Sequence, residues 1–261
     1  MINHPQKYIR ISVYSLIGLV LCLGLGWLAL FTLEQQPNEK IYREALDATA
    51  HNVLVSDNKN PNSALKIYAV NVFHSTPFEK TIISGGVYFR DGLIITASHV
   101  AGNWPAFQDP RVLIAGQDLS AKVFKEGSLE SVDLALLSVD KSRLPISLLL
   151  RRNPICRGPL VPGTSVVVVS PTRLKPSRII SPMQIAPEFR ARFGSVITAP
   201  EASGSGVFDL RRKCLLGIMS RKIEKVSYRI EHGRMVEAAA GLAGYFVPAR
   251  DIKSFIPADL R

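Results

Sequence analysis

Hydrophobic and polar positions divide this chain into three stretches of different rhythm. Residues 11–33 carry no charge between Arg10 and Glu34 and are dominated by apolar side chains such as Leu19, Val20, Leu21, Leu23 and Leu28. About 20 apolar residues suffice for a helix to cross the hydrocarbon core of a bilayer, so the pattern predicts one N-terminal transmembrane helix. Residues 34–63 form a juxtamembrane stretch. Ile41, Ala45, Leu46 and Ala48 give part of it a helical period, and residues 56–63 read as a polar linker of turn-forming types. From Ala64 onward the rhythm changes to short β-type runs at 66–73, 83–89, 93–96, 111–116, 121–124 and 134–139, with Asp91-Gly92 marking a tight hairpin. A loop carrying Pro145, Pro154, Pro159 and Pro162 separates these from a second series at 164–170, 195–198, 206–210, 215–220 and 245–247. Residues 251–256 close the chain as a short helix. Many short strands without long helices between them predict an all-β domain, either barrels or a sandwich.

The flanks of the first stretch set its orientation. Lys7 and Arg10 precede it, whereas Glu34, Glu39, Lys40, Arg43 and Glu44 follow as a mixed set. The positive-inside bias then puts residues 1–10 in the cytoplasm and everything after residue 33 outside it. A cleaved signal peptide would have a shorter apolar core and end in small residues resembling Ala-x-Ala. Residues 27–33 offer no such site, so the expectation is an uncleaved anchor.

Composition adds less. Hydrophobic residues make up 47% and charged residues 20% of the 261, which excludes a disordered chain. The net charge of +11 permits an acidic partner. Its cations fall in short clusters such as Arg151-Arg152 and Arg211-Arg212-Lys213, with no interleaved aromatic platforms. They are read as solvated surface, and no nucleic-acid partner is expected. Of three cysteines, Cys22 lies in the predicted anchor while Cys156 and Cys214 lie outside it. An oxidising compartment permits a disulfide between those two; a pair of separate buried thiols fits the sequence equally well. Their spacing suits no zinc site.

Three strings carry candidate chemistry. A histidine, His99, follows the apolar run 93–96; an aspartate, Asp133, enters the apolar run 134–139; and Glu201-Ala-Ser-Gly-Ser-Gly-Val-Phe208 forms a turn of small residues. Singly, each has a bland explanation as a surface residue, a cap or a loop. Jointly they meet the needs of acyl transfer. A serine hydroxyl needs an adjacent base, histidine has a suitable pKa, and a buried aspartate fixes the imidazole tautomer. Small residues beside the serine let backbone N–H groups reach a developing oxyanion.

These strings resemble trypsin-like serine proteases. Thr96-Ala-Ser-His99 is similar to the histidine box of that family, Asp133-Leu-Ala-Leu-Leu137 to its aspartate strand, and Ser203-Gly-Ser-Gly-Val-Phe208 to its nucleophile turn. The order His, Asp, Ser matches the chymotrypsin arrangement. Leu215-Leu-Gly-Ile-Met-Ser220 and Gly244-Tyr-Phe-Val-Pro248 resemble later strands, especially those of bacterial HtrA-like proteases. The resemblance implies two six-stranded antiparallel β-barrels of the chymotrypsin type over residues 64–261, the first about 64–145 and the second about 160–250, without a PDZ module. It also implies a periplasmic or otherwise extracytoplasmic serine endopeptidase acting on polypeptides, with no metal or cofactor. Its triad would be His99, Asp133 and Ser203. Ser203 is preferred to Ser205 because the latter would put bulky Val207 where a small residue is expected.

The resemblance also carries over weaker positions. Backbone N–H groups of Ser203 and Glu201 would form the oxyanion hole, but Glu201 stands where the family has glycine. Glycine suits that position because side chains resist its backbone conformation. Glu201 is therefore expected to leave the hole incompletely formed at rest, which makes a catalytically impaired peptide- or partner-binding module the alternative function. Ile197 or its neighbour Thr198 would floor the primary specificity pocket, with Gly244 in its wall. That apolar floor implies cleavage after small or medium apolar residues. Residues Ser220, Arg221 and Lys222 would pair with the substrate backbone.

Overall fold

The computed structural model describes residues 36–54, 62–74, 82–102, 109–190, 193–231 and 234–260. The chain divides into two compact units, Met1–Arg43 and Glu44–Arg261. The predicted anchor at residues 11–33 and the residues 1–10 expected on its cytoplasmic side lie outside the described residues. No described helix is long and apolar enough to cross a membrane. Of the first unit, the described part is the beginning of helix Gln36–Leu54.

Among the described residues, the second unit contains twelve strands. The first six are β1 (Ala69–His74), β2 (Ile82–Arg90), β3 (Leu93–Thr96), β4 (Arg111–Ile114), β5 (Gln117–Glu126) and β6 (Ala135–Val139). They close antiparallel in the order β1-β2-β3-β6-β5-β4, with β4 returning to β1. The other six are β7 (Ser165–Val169), β8 (Leu174–Ile180), β9 (Val196–Ile197), β10 (Gly206–Asp209), β11 (Leu215–Glu231) and β12 (Arg234–Pro248). These close as β10-β11-β12-β9-β8-β7, with β7 returning to β10.

Why the apolar runs are nearly continuous follows from this arrangement. Successive side chains of a strand point to opposite faces. Tyr88, Ile94 and Leu137 fill the interior of the first barrel, while their neighbours Val87, Ile95 and Leu136 enter a core shared with the second barrel. Val166 and Val168 likewise face the interior of the second barrel, and Val167 and Val169 the shared core. Both faces are dry, so alternation with polar residues is lost. The helix Ala249–Phe255 seals the shared core with Ile252 and Phe255.

Several elements depart from the sequence reading. Residues 66–68, expected to begin a strand, belong to a 3₁₀ helix, Ser63–Tyr68. Leu65 and Ile67 are both buried, a spacing that mimics a strand, but they enter different cores. Strand β8 was not anticipated because it contains Pro176. The proline is tolerated because β9 pairs with β8 only at Ile179 and Ile180, so Pro176 faces a single neighbour, β7. Strands β11 and β12 run far beyond the anticipated 215–220 and 245–247, pairing out to Glu231 and Arg234. Cys156 and Cys214 are joined as a disulfide with Cα atoms 5.0 Å apart, closing a separation of 58 residues.

Helix Gln36–Leu54 is long enough to explain the helical period at 38–55. From Glu44 onward it is part of the second unit. Thr49 Oγ1 accepts from Gly116 N (3.1 Å) at the β4–β5 turn, and Asn52 Nδ2 donates to the Pro171 carbonyl (2.8 Å) before β8.

Candidate functional site

The apolar strand β3 delivers His99. Thr96, its last residue, donates through Oγ1 to the Gly85 carbonyl (2.7 Å). The chain then turns into the short helix Ser98–Ala101, leaving the His99 side chain 33% exposed. Asp133, just before β6, is buried at 3% exposure. Such a carboxylate needs hydrogen-bond partners to remain charged. It has them: Oδ1 accepts from Ser98 Oγ (2.7 Å) and His99 N (3.2 Å). Oδ2 accepts from His99 Nδ1 (2.9 Å) and from Ser220 Oγ. Burial pushes the Asp133 pKa up, but the bonds from His99, Ser220 and Ser98 outweigh it and hold the carboxyl well below the ordinary carboxylate value. With Nδ1 donating to this anion, Nε2 is the ring nitrogen with a lone pair to accept a proton.

Ser203 comes from the turn before β10 in the second barrel. Its hydroxyl donates to the Ser220 carbonyl (2.8 Å). Among the described residues it makes no hydrogen bond with His99. The turn is joined to β2: Gly85 N donates to the Ser203 carbonyl (2.8 Å). Gly204 adopts φ +81°, and a Cβ there would lie 1.8 Å from the Gly85 carbonyl oxygen. A Cβ on Gly85 would lie 2.6 Å from Ser205 N. Two glycines therefore let the turn carrying Ser203 touch β2 of the other barrel, at the same Gly85 whose carbonyl accepts from Thr96, three residues before His99.

Glu201 does not have the left-handed backbone that favours glycine. Among described non-glycine residues only Asp91, Ala115 and Lys213 have positive φ. Its side chain is turned inward at 8% exposure, with Arg173 Nη2 3.2 Å from Oε1 and Lys175 Nζ 3.8 Å from Oε2. Lys175 Nζ also donates to the Pro200 carbonyl (2.7 Å). The N–H groups of Glu201 and Ser203 donate to nothing among the described residues.

The remaining predicted positions cluster next to this turn. Ile197 is fully buried, and β12 lays Gly244 directly opposite it. A Cβ on Gly244 would lie 2.7 Å from Met219 Cε and 3.2 Å from Ile197 Cγ1, so little space remains between them. Thr198 Oγ1 instead bonds Ser177 Oγ (3.0 Å) and Arg178 N (3.2 Å), which turns it to β8. Among the described residues, no named strand pairs with β11 on the β10 side beyond Ile218, and a bridge between Ile185 and Lys225 follows, so Ser220, Arg221 and Lys222 lie on an edge beside Ser203. Arg221 lies over the Phe193 ring (5.0 Å) and donates through Nη2 to the Leu129 carbonyl (3.0 Å).

A model of the trypsin-like peptidase domain matches residues 83–218, more than half of the chain. The chain belongs to that family. No curated protein matches it by sequence. Among solved structures, the active form of the protease Rv3671c from M. tuberculosis superimposes with a TM-score of 0.52 at 18% identity, covering 76% of this chain and 83% of that one. The inactive form of the Rv3671c protease gives a TM-score of 0.50 at 18% identity, over 77% and 93%. At that identity the likeness speaks for the fold.

In this trypsin-like peptidase domain His99 bonds Asp133 directly, while Ser203 is linked to Asp133 through Ser220, whose carbonyl accepts from Ser203 and whose hydroxyl donates to Asp133. Two contributors, Ser98 and Lys175, are not singled out by the sequence reading, and a third, Ser220, is assigned there only to substrate pairing. Ser98 and Ser220 both hold the Asp133 carboxylate. Lys175 grips the residue before Glu201. Ser98 is detectable as a small polar neighbour of His99, whereas no local pattern marks Ser220 or Lys175.

Proposed function

We propose that this chain is a membrane-anchored, extracytoplasmic serine endopeptidase in which Ser203, His99 and Asp133 act as a triad. The observation that carries this reading is the Asp133 carboxylate, which receives Ser98, Ser220 and both the backbone and ring of His99. That network leaves Nε2 as the basic nitrogen. The Ser203 hydroxyl rotates from the Ser220 carbonyl to His99, loses its proton to Nε2 and attacks the scissile carbonyl. N–H groups of Ser203 and Glu201 hold the oxyanion. His99 then protonates the leaving amine, and water hydrolyses the acyl-enzyme with His99 again as base. A substrate strand adds along the free edge of β11. The narrow space between Ile197, Met219 and Gly244 supports cleavage after small or medium apolar residues.

The apolar residues 11–33 support a single N-terminal anchor with residues 1–10 in the cytoplasm. The disulfide between Cys156 and Cys214 supports an oxidising location for the peptidase domain, such as the periplasm.

Two observations favour a second reading, a protease-like module that binds a peptide or partner without turnover. Glu201 lacks the glycine-type backbone, and the Ser203 hydroxyl rests on a carbonyl rather than on His99. A fluorophosphonate probe separates the two. The endopeptidase reading expects labelling of the wild type that disappears in Ser203→Ala. An unlabelled wild type, with labelling restored by Glu201→Gly, would establish the module instead.

A further inference from the structure

The family glycine is replaced by Glu201, yet both candidate oxyanion donors remain unbonded within the described protein. Something other than a positive φ must therefore set the direction of the Pro200–Glu201 peptide. In a trans peptide the carbonyl and the N–H point to opposite sides of the chain. Whatever holds the Pro200 carbonyl thus aims the Glu201 N–H. Lys175 Nζ holds that carbonyl at 2.7 Å.

We infer that Lys175 is a positioning residue that orients the Pro200–Glu201 peptide, and with it the second oxyanion donor, in place of the missing glycine. The inference rests on the endopeptidase reading above. Three details support it. The Pro200 carbonyl is bonded to Lys175 and not to the Ser203 N–H, which has no acceptor among the described residues. The Glu201 carboxylate stands 3.8 Å from the same ammonium, and its Oε2 is buried without a hydrogen bond. Its charge therefore holds the ammonium near the turn rather than extended into solvent. Finally, Lys175 lies on β8, whose main-chain pairing to β7 fixes its position independently of the turn. A flexible loop lysine would supply no such reference point.

The test uses the full-length chain in detergent as wild type, Lys175→Met and Lys175→Arg. Lys175→Met keeps the aliphatic stem and removes the ammonium, and a thermal melt checks that it folds. Two readouts are taken: the rate of fluorophosphonate labelling at Ser203, and the amide resonance of Glu201 in protein labelled with ¹⁵N-glutamate. Loss of one oxyanion donor lowers rates about 100- to 1000-fold. Lys175→Met is expected to slow labelling by a factor in that range and to shift the Glu201 amide, and Lys175→Arg to restore most of both. A Glu201 amide that stays in place in folded Lys175→Met overturns the inference, whatever the labelling rate. Labelling within twofold of wild type, where the wild type labels, overturns it as well. Should the wild type not label at all, the endopeptidase reading fails. The amide then decides alone whether Lys175 holds the peptide: a shift supports it and no shift overturns it. If Lys175→Met does not fold, Lys175→Arg decides, a Glu201 amide at the wild-type position supporting the inference and a displaced one overturning it.

Discussion

The two barrels contribute to one site by different means. On the first barrel, Asp133 is held by the Ser98 hydroxyl, the His99 backbone N–H and the His99 ring, and it also receives the Ser220 hydroxyl from the second barrel. On the second barrel, the turn carrying Ser203 is held by close glycine contacts to β2 and by the charges of Arg173 and Lys175 on Glu201. Asp133 thus takes three of its four donors from the neighbouring Ser98 and His99 and one from Ser220. The turn carrying Ser203 depends on contacts with β2 and β8 that come from elsewhere in the fold.

The sharpest way to probe this comparison is to remove one chemical group from each side. Ser203→Ala and His99→Ala should each lower turnover of a peptide substrate by about 10⁶-fold, since members of a triad act as a unit. Asp133→Asn should cost about 10⁴-fold in kcat, because the amide no longer fixes the imidazole tautomer. Steady-state kinetics on purified protein measure both, and a loss below tenfold in any of the three would break the proposed assignment. The disulfide belongs to the second barrel side. Replacing Cys156 and Cys214 with serine should lower stability by about 2–5 kcal/mol in denaturant titrations. Gly85→Ala tests the junction of the two barrels. Its methyl group meets the backbone of Ser205, so a loss of about 1–3 kcal/mol is expected from overpacking, together with slower labelling of Ser203.

The smallest effect concerns acid. The native pKa of Asp133 is depressed below the ordinary 3.8, so its contribution to stability is complete above that pH. It is lost as the pH falls below 3.8 toward the native value. The stability difference between wild type and Asp133→Asn, read from melting curves, should therefore be constant above about pH 5 and shrink as the pH falls below about 4. Parallel curves across this range would contradict the bonding described for the carboxylate.

Much of the site was visible in the sequence because each triad candidate is attached to a distinctive local string. An apolar strand runs into His99, another leaves Asp133, and small residues surround Ser203. The strands themselves were visible where both faces are buried, as at 93–96 and 165–169. Strand β8 was hidden because Pro176 is a breaker in any local account, and only the short reach of β9 makes it acceptable. The outer part of the β11–β12 ribbon was also missed. Residues 221–231 mix charged and apolar side chains, with Ile230 exposed, so burial gives them no clean alternation.

Sequence by itself determined the all-β class, the order of the three candidate residues and the anomaly at Glu201. Each of these is a property of a few consecutive residues and of the chemistry their side chains can perform. Tertiary structure alone decided that Cys156 meets Cys214, that Ser98 and Ser220 both bond Asp133, and that Lys175 reaches the Pro200 carbonyl. Those contacts join residues far apart along the chain. Barrel closure sets their distances, and no local pattern of residues encodes which side chains it will bring together.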